Sequence, residues 1–199
     1  VRRCSGGPSP AADVAVVGGE VRVGGRAIGR AAEAGALSNV ACAVAVALEL
    51  GVPEEVVAGR LATLPTAPHR LSVTTTPAGA TLLDDTYNSN PAGAAGALAA
   101  LARHASPDRL RVVVTPGMVE LGPVQHKENT AFARAASAAA SHLVVVGHTN
   151  RPALLEGAAG GGAEVVTVAT RDEAAAWVRE HVGEGDAILY ENDLPDHFP

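Results

Sequence analysis

From about residue 71 to its end, the chain alternates short apolar runs with longer helical patterns, and this alternation limits the fold most strongly. The short runs are rich in β-branched residues, and the longer segments repeat apolar side chains at helical spacing. Strands that alternate with helices pair in parallel through right-handed crossovers. Val112–Val114 and Leu143–Val146 are continuously apolar, as strands covered on both faces require. The pattern predicts an α/β fold: a Rossmann-like, open, mostly parallel sheet with flanking helices.

This α/β pattern also predicts where a ligand would bind. The predicted strands are Leu71–Thr75, Ala80–Asp84, Leu110–Thr115, His142–Val146, Glu164–Val168 and Ala187–Tyr190. The predicted helices are Pro91–Arg103, Gln125–Ala140, Arg151–Gly157 and Arg171–His181. Ligands of open α/β sheets meet the loops after the carboxyl ends of strands. We therefore expect a site in loops 84–90, 115–122, 147–151 and from residue 191 onward.

The first third of the sequence has a different pattern. Residues 1–12 are rich in Gly, Ser and Pro and are expected to be disordered or a truncated edge. Val14–Val17 and Val21–Val23 around Gly18-Gly19 predict a β-hairpin. Two helices follow, one from Asn39 with Val40, Val44, Ala47, Leu48 and Leu50 on one face, and one from Pro53 to Leu61. The proline-rich stretch 65–68 marks the expected boundary between a first domain, 13–66, and a second, 67–199.

Composition and charge exclude several classes of protein. The net charge is −6 and there is no cluster of Lys and Arg, so a nucleic-acid surface is not expected. No run of about 18 apolar residues is present, so no membrane span is expected. Cys4 and Cys42 are far apart in sequence, which favours reduced thiols in a cytosolic protein, with Cys42 buried on an apolar helix. The histidines lie on different predicted elements and predict no metal site.

The most informative segment is the loop after the second predicted strand, which reads Asp84-Asp85-Thr86-Tyr87-Asn88-Ser89-Asn90-Pro91. A buried strand there delivers two carboxylates, a phenol and two carboxamides into a single strand-to-helix turn. Helix capping by Asn90 or Asp85 before Pro91 would explain one or two of these polar residues, but not six in a row. The loop therefore predicts a binding site.

This loop resembles the signature of the Mur ligases, in the form carried by the member that adds D-alanyl-D-alanine. Flanking segments agree in order and spacing. His69-Arg70 resembles the start of the last domain of these ligases, and residues 117–122 resemble their Gly-Asp-Met-x-Glu-Leu-Gly loop. The helix from Asn39 to Gly51 resembles the Asn-rich helix that closes their central ATPase domain. By this resemblance, residues 13–66 would be a hairpin-plus-helix remnant of the central ATP-binding domain, and residues 67–199 the C-terminal domain.

The resemblance implies a cytoplasmic ATP-dependent ligase of peptidoglycan precursor synthesis, acting through an acyl phosphate. ATP and Mg²⁺ would be held mainly by an upstream domain. The substrates would be a carboxylate and an amine, such as a UDP-linked muropeptide and a dipeptide. Arg70 would act in catalysis and meet the nucleotide phosphates. Asp85 would bind the ribose hydroxyls, with Asn88 and Asn90 beside the adenine. On the substrate side the resemblance implies Tyr87, Gly117, Glu120 and Asn150, with Glu120 shaping its loop.

Three departures from the family pattern are visible. No Gly-x-x-x-x-Gly-Lys-Ser/Thr phosphate-binding loop occurs, and the only lysine is Lys127, so that loop is expected upstream of residue 1 and the chain alone is expected to be inactive. The family His-Asn at the start of the long helix reads Gly35-Ala36. The loop aspartate is replaced by Gly117, and the terminal Lys-Gly-Ser-Arg region reads Glu191 to Asp196.

Two alternative functions remain at this point. One is a non-catalytic Mur-like module that binds substrate or a partner, which the missing phosphate loop favours if the gene begins near residue 1. The other is a dinucleotide-binding dehydrogenase, which would need Gly-x-Gly-x-x-Gly after the first strand of the sheet, and no such motif is present.

Overall fold

A computed structural model describes residues 2–31, 37–64, 69–106 and 108–193. The chain divides into two compact units, Val1–Ala67 and Pro68–Pro199, and each has its own sheet. The predicted boundary at residues 65–68 and the Gly35-Ala36 departure lie outside the described residues. The two units are described separately below.

The first unit contains a four-stranded sheet in the order β1-β2-β3-β4. Its strands are β1 (Cys4–Ser5), β2 (Val14–Val17), β3 (Glu20–Val23) and β4 (Arg26–Arg30). The predicted hairpin is present as β2 and β3, with Gly18 and Gly19 at positive φ of 55° and 82° in the turn. The sequence analysis missed β4, because Ile28 is the only β-branched residue of that strand.

Residues 1–12 were expected to be disordered or a truncated edge, and they include the strand β1. This strand pairs in parallel with β2 at the edge of the sheet. The backbone N–H groups of Asp13 and Val14 both donate to the Arg3 carbonyl, at 2.9 and 3.1 Å, and the Arg3 N–H donates to the Asp13 carboxylate at 2.7 Å. These bonds hold the segment on the sheet as an ordered edge.

Two helices, α1 (Leu37–Glu49) and α2 (Glu54–Leu61), cover this sheet. Val40 and Val44 of α1 pack with Val14, Val16 and Val21 in one apolar core. Two predictions for this region are wrong. Leu50, predicted on one helix face with Val40 and Val44, is 79% exposed, because α1 ends at Glu49 and the left-handed Gly51 comes soon after. Cys42 is exposed, because the buried face of α1 is formed by its neighbours at positions 40, 41, 44 and 45.

The second unit contains a six-stranded sheet in the order β5-β6-β10-β7-β8-β9. Its strands are β5 (Ser72–Thr75), β6 (Thr81–Asp85), β7 (Arg111–Thr115), β8 (His142–Val146), β9 (Glu164–Val168) and β10 (Ala187–Glu191). All neighbours pair in parallel except β5, which forms an antiparallel edge with β6. The predicted Rossmann-like, mostly parallel α/β fold is confirmed.

Four helices cover the two faces of this sheet. They are α3 (Pro91–His104), α4 (Gln125–Ala139), α5 (Arg151–Ala158) and α6 (Arg171–His181). Alternate side chains of each strand point to opposite faces. Leu83, Val113 and Leu189 therefore pack with α3, α4 and α5, whereas Val112 and Ile188 pack with α6. Burial on both faces explains the continuous apolar runs of β7 and β8.

The longest described helix, α4, has 15 residues, and no helix in the described ranges combines the length and the apolar character of a membrane span.

Candidate functional site

Four loops meet at the carboxyl-terminal edge of the second sheet. They follow β6, β10, β7 and β8, which are neighbours in that order. The chain passes from β6 to β7 and returns only at its end to place β10 between them. Such a change in strand order opens the crevice in which open α/β sheets bind ligands. The described parts of the predicted loops, which for the last loop end at residue 193, therefore start side by side.

Asp84, the first acid of the signature loop, is fully engaged in the turn. Its Oδ1 accepts hydrogen bonds from the Thr86 backbone N–H at 3.2 Å and the Thr86 hydroxyl at 2.6 Å. Its Oδ2 lies 2.7 Å from Nδ1 of His69. Burial alone would raise the pKa of Asp84, but the bonds from Thr86 and His69 outweigh it and lower that pKa. Asp84 therefore shapes the loop.

Asp85, the second acid, ends β6 and is held at the edge of the sheet. Its half-buried carboxylate accepts a hydrogen bond from the Leu71 backbone. Burial raises the pKa of Asp85, despite the opposing effects of that bond and of the Arg70 charge. An ionised carboxylate can accept about four hydrogen bonds. Asp85 thus combines a fixed position with capacity for further hydroxyl or N–H donors.

Glu191, at the end of β10, is the register partner of Asp85 on the adjacent strand. Its side chain is 0% exposed, and one carboxyl oxygen bonds the hydroxyl of Ser89 in the signature loop. The other oxygen, Oε2, has no hydrogen-bond partner among the described residues. Burial, together with the nearby charge of Asp85, raises the pKa of Glu191 to about 8, although the Ser89 bond opposes this shift. Glu191 is therefore protonated at neutral pH and ties β10 to the loop as a neutral acid.

Arg70 and Tyr87 form an exposed pair beside these acids. The guanidinium carbon of Arg70 lies 4.4 Å from the centroid of the Tyr87 ring, a cation–π contact, and Tyr87 is 64% exposed. His69 and Leu71, on either side of Arg70, adopt positive φ angles of 57° and 53°, which non-glycine residues rarely accept. The bond from Leu71 to Asp85 and a bond from the Tyr87 N–H to the His69 carbonyl at 3.0 Å hold this strained segment against the loop.

The two asparagines of the loop differ in their surroundings. Asn88 is exposed, and Asn90 caps α3 by accepting a hydrogen bond from the Gly93 N–H at 3.0 Å. In the sequence analysis, helix capping by Asn90 was the alternative to a binding role, and the structure shows this capping bond. A capping role does not use the amide N–H groups of Asn90, which can donate elsewhere.

The neighbouring loop after β7 is built on buried amides. Asn129 of α4 is 0% exposed, accepts from the Met118 N–H at 2.8 Å and donates to the Met118 carbonyl at 2.8 Å. Asn150 is 4% exposed, donates to the Pro116 carbonyl at 3.0 Å and accepts from the Gln125 amide at 3.0 Å. The amide of Asn150, which was predicted to contact substrate, therefore supports the loop.

Gly117 lies inside this amide cluster. Its φ is +79°, and a Cβ at this position would lie 2.5 Å from Oδ1 of Asn129 and 2.8 Å from Cβ of Asn150. The aspartate of the family pattern has no room here, which gives a physical reason for the departure at Gly117. Glu120 has a φ of 63° and an exposed side chain, consistent with a turn-forming role.

Asn192 joins the two halves of the site. Its backbone N–H donates to the Asp85 carbonyl at 3.1 Å, and its buried amide donates to the Gly117 carbonyl at 2.7 Å. The structure thus links the loop of Asp85 and Tyr87 to the loop of Gly117 through the residue that follows β10. Glu120 lies further along the second loop and takes no part in these bonds.

The described residues do not fit a magnesium site. Among them, no three His, Cys, Asp or Glu side chains come together as metal ligands. Asp85 and Glu191 are neighbours, but Glu191 is fully buried, and these two carboxyl groups are fewer than the six oxygen ligands of Mg²⁺. No role for the metal is therefore assigned to these residues.

The sequence analysis expected a site from residue 191 onward but gave no role to Glu191, Asn129 or Asn192. The period of two along β10 could have identified Glu191, because Ala187 and Leu189 share its face and belong to the core. Helical spacing places Asn129 on the buried face of Ala133 and Ala136, so an isolated polar residue there indicated a satisfied amide. No sequence pattern indicated the role of Asn192, because this role depends on hydrogen bonds to Asp85 at the end of β6 and to Gly117 after β7.

Comparison with known proteins agrees with this geometry. A sequence profile of the family described as "Mur ligase, glutamate ligase domain" matches residues 69–190. The chain belongs to the Mur ligase family, and this match covers its second unit. The resemblance that the signature loop indicated is confirmed.

Two relatives in mycobacteria are UDP-N-acetylmuramoyl-tripeptide–D-alanyl-D-alanine ligases. The chain is 41% identical over 165 residues to that of Mycobacterium tuberculosis (strain H37Rv), and 37% identical over 172 residues to that of Mycobacterium leprae. Each alignment covers 77% of this chain but only 31% and 33% of the respective relative. The chain therefore spans about a third of the length of these relatives.

Solved structures show the same fold. MurF from Acinetobacter baumannii superimposes with a TM-score of 0.72 at 24% identity, covering 93% of this chain and 43% of that one. MurF from Thermotoga maritima, solved in complex with ADP, gives a TM-score of 0.68 at 21% identity and covers 91% and 42%. At these identities the likeness establishes the fold alone.

Proposed function

We propose that this chain is the C-terminal part of an ATP-dependent ligase that joins a carboxylate to an amine. The observation that carries the proposal is the Asp85 loop at the crevice of the second sheet. Its carboxylate is held in place by the Leu71 backbone, with acceptor capacity left for ligand hydroxyls. In this proposal residues 13–66 belong with a central ATP-binding domain, and residues 67–199 form the domain that meets the nucleotide.

The residues of the loop take separate roles in this proposal. Asp85 accepts hydrogen bonds from the ribose hydroxyls, and Asn88 and Asn90 lie beside the adenine. Arg70 meets the nucleotide phosphates, for which a guanidinium offers several N–H donors in a fixed plane. Tyr87, whose exposed ring makes the cation–π contact with the Arg70 guanidinium, lies toward the substrate. ATP would supply the phosphoryl group that converts the carboxylate into a reactive acyl phosphate.

The substrate class follows from the relatives. Their names specify a UDP-N-acetylmuramoyl-tripeptide and D-alanyl-D-alanine. We propose a related pair for this chain, a UDP-linked muropeptide as the carboxylate and a short peptide as the amine, joined in the cytoplasm. Gly117 and the segment that begins at Glu191 depart from the family pattern. By the resemblance, the corresponding family positions face the acceptor, so we propose that the amine is the substrate more open to change.

Steady-state kinetics test this proposal in a ligase that contains this segment together with a phosphate-binding domain. A charged acceptor of hydroxyl hydrogen bonds contributes roughly 1.5–3 kcal/mol, so Asp85→Ala should weaken the apparent ATP affinity by about ten- to a hundredfold. Arg70→Ala should lower turnover more than ATP affinity, if its charge is used mainly in the transition state. Asp84→Ala is the matched control, because its carboxylate serves the turn.

The contrary result is equally clear. If Asp85→Ala leaves the ATP dependence unchanged while the protein stays folded, the acid pair is a structural device and the nucleotide role is lost.

A second candidate is a non-catalytic module that binds a Mur ligase substrate or partner. The sequence observation that favours it is the absence of a phosphate-binding loop from the 199 residues. The coding sequence upstream of Val1 separates the two candidates. A phosphate loop within about 200 residues, a typical domain length, supports the ligase, and a start codon at Val1 supports the module.

A further inference from the structure

The two cysteines, separated by most of the first unit in sequence, lie together in the structure. Cys4 is on β1 and Cys42 is on α1, and their side chains are close enough to interact electrostatically. Burial and the contact with Cys42 raise the pKa of the Cys4 thiol. Both thiols are free, with Cys4 partly buried and Cys42 exposed.

The packing of β1 on α1 independently supports this contact. Gly6 lies so close to the start of α1 that a Cβ on it would be 2.5 Å from the Ser38 backbone nitrogen. Cys4 is two residues back along the extended chain, and Cys42 is four residues forward along the helix. The ion pair of Arg2 with Glu49 at 2.8 Å shows that β1 and α1 run in opposite directions. The two steps, of about 6.6 Å and 6.0 Å, therefore keep Cys4 and Cys42 level with each other. Cys4 also packs against the core that contains the buried face of α1.

We propose that Cys4 and Cys42 are a modification site that closes an intramolecular disulfide on reaction with a low-molecular-weight disulfide. The bond would tie the edge strand β1 to α1. The thiols were expected to be independent and reduced, and in a reducing compartment the bond forms only under oxidising conditions.

The reaction proceeds by two thiol–disulfide exchanges. The thiolate of exposed Cys42 attacks one sulfur of the oxidant, the oxidant S–S bond breaks, and one small thiol leaves with a proton. The thiol of Cys4 then loses its proton and attacks the Cys42 sulfur of the mixed disulfide, which releases the second small thiol. Two protein thiols are oxidised to one disulfide, and one oxidant disulfide is reduced to two thiols.

Intact-mass measurement of the full chain treated with oxidised glutathione tests the site. The expected product is a monomer that has lost two hydrogen atoms, has no titratable thiol and carries no adduct. Cys4→Ser and Cys42→Ser should instead stop at a stable glutathione adduct, because neither has a second thiol to resolve it. The native fold should also close the mixed disulfide at least about tenfold faster than the chain in concentrated urea, because contact raises the effective thiol concentration.

Stable double adducts, disulfide-linked dimers or unreacted thiols in the wild-type chain would each overturn the proposal. Ring closure that is no faster in the native chain than in urea would also overturn it, because the fold would then contribute nothing to the pairing.

Discussion

At the scale of single residues, Glu191 differs most from its expected behaviour. The sequence pattern placed it in a ligand-facing loop, yet it is fully buried at the end of β10. Ser89 is the one hydrogen-bond partner of its carboxyl among the described residues. A buried carboxyl with a single bond is far more stable as the neutral acid. The Glu191 carboxyl group beside Asp85 is therefore a neutral acid and not a second negative charge.

This buried acid predicts an unusual pH dependence of stability. The pKa of Glu191 is raised from 4.5 to about 8 in the folded chain, so the folded state binds more protons than the unfolded state between these values. Its contribution to stability is complete below pH 4.5 and is lost as pH rises to about 8. Glu191→Gln should remove this loss, gaining roughly 2–4 kcal/mol over wild type between pH 5 and 9.

Urea unfolding across this pH range measures the effect. Glu180→Gln, an exposed acid on α6, is the matched control and should follow the wild-type profile. Parallel profiles for wild type and Glu191→Gln would show that Glu191 ionises normally.

At the scale of elements, the sequence predicted most clearly the strands that are buried on both faces of the sheet. Strands β7 and β8 are covered on both faces, so continuous apolar runs identified them, and every predicted strand and helix of the second unit is present. The sequence analysis did not predict the two strands that depend on pairing with a neighbouring strand. Strand β4 has little β-branched character and depends on its pairing with β3, and β1 depends on its edge bonds to β2.

The same difference applies to the candidate site. The polar run of the signature loop could be identified because such residues gain little from crowding at a buried strand end. The separate roles of Asp84 and Asp85 could not be predicted, because they depend on the hydrogen-bond partners of each side chain. Asp84 contacts Thr86 and His69, whereas Asp85 contacts the Leu71 backbone. Those contacts are set by the packing of the strained segment before β5.

The loop after β7 gives a prediction at this scale. Gly117→Ala should destabilise the chain by about 3 kcal/mol or more, because a left-handed alanine is strained and its Cβ would collide with the Asn129 amide. Gly122→Ala, at a φ of +55° with open space around the Cβ position, should cost only about 1–2 kcal/mol. Urea unfolding of the two variants measures the difference. Equal losses would mean that the amide cluster can yield and does not fix the loop.

At the scale of the whole molecule, the chain consists of two units with separate cores, and only the second is matched by the family profile. No phosphate-gripping loop occurs in the 199 residues. We therefore expect the purified chain to release no phosphate from ATP above background with any carboxylate acceptor. Release that rises in proportion to the concentration of this chain, and disappears on heat denaturation, would contradict this expectation.

The central claim is that the signature loop meets the nucleotide, and photolabelling tests it most directly. A ligase that contains this segment and a phosphate-binding domain is irradiated with an azido-adenine analogue of ATP, and the labelled peptides are identified by mass spectrometry. We predict label on the peptide that contains Tyr87 and Asn88, which are both exposed, and its loss with excess ATP. Label that excess ATP displaces from other peptides, with none on residues 84–90, would contradict the account.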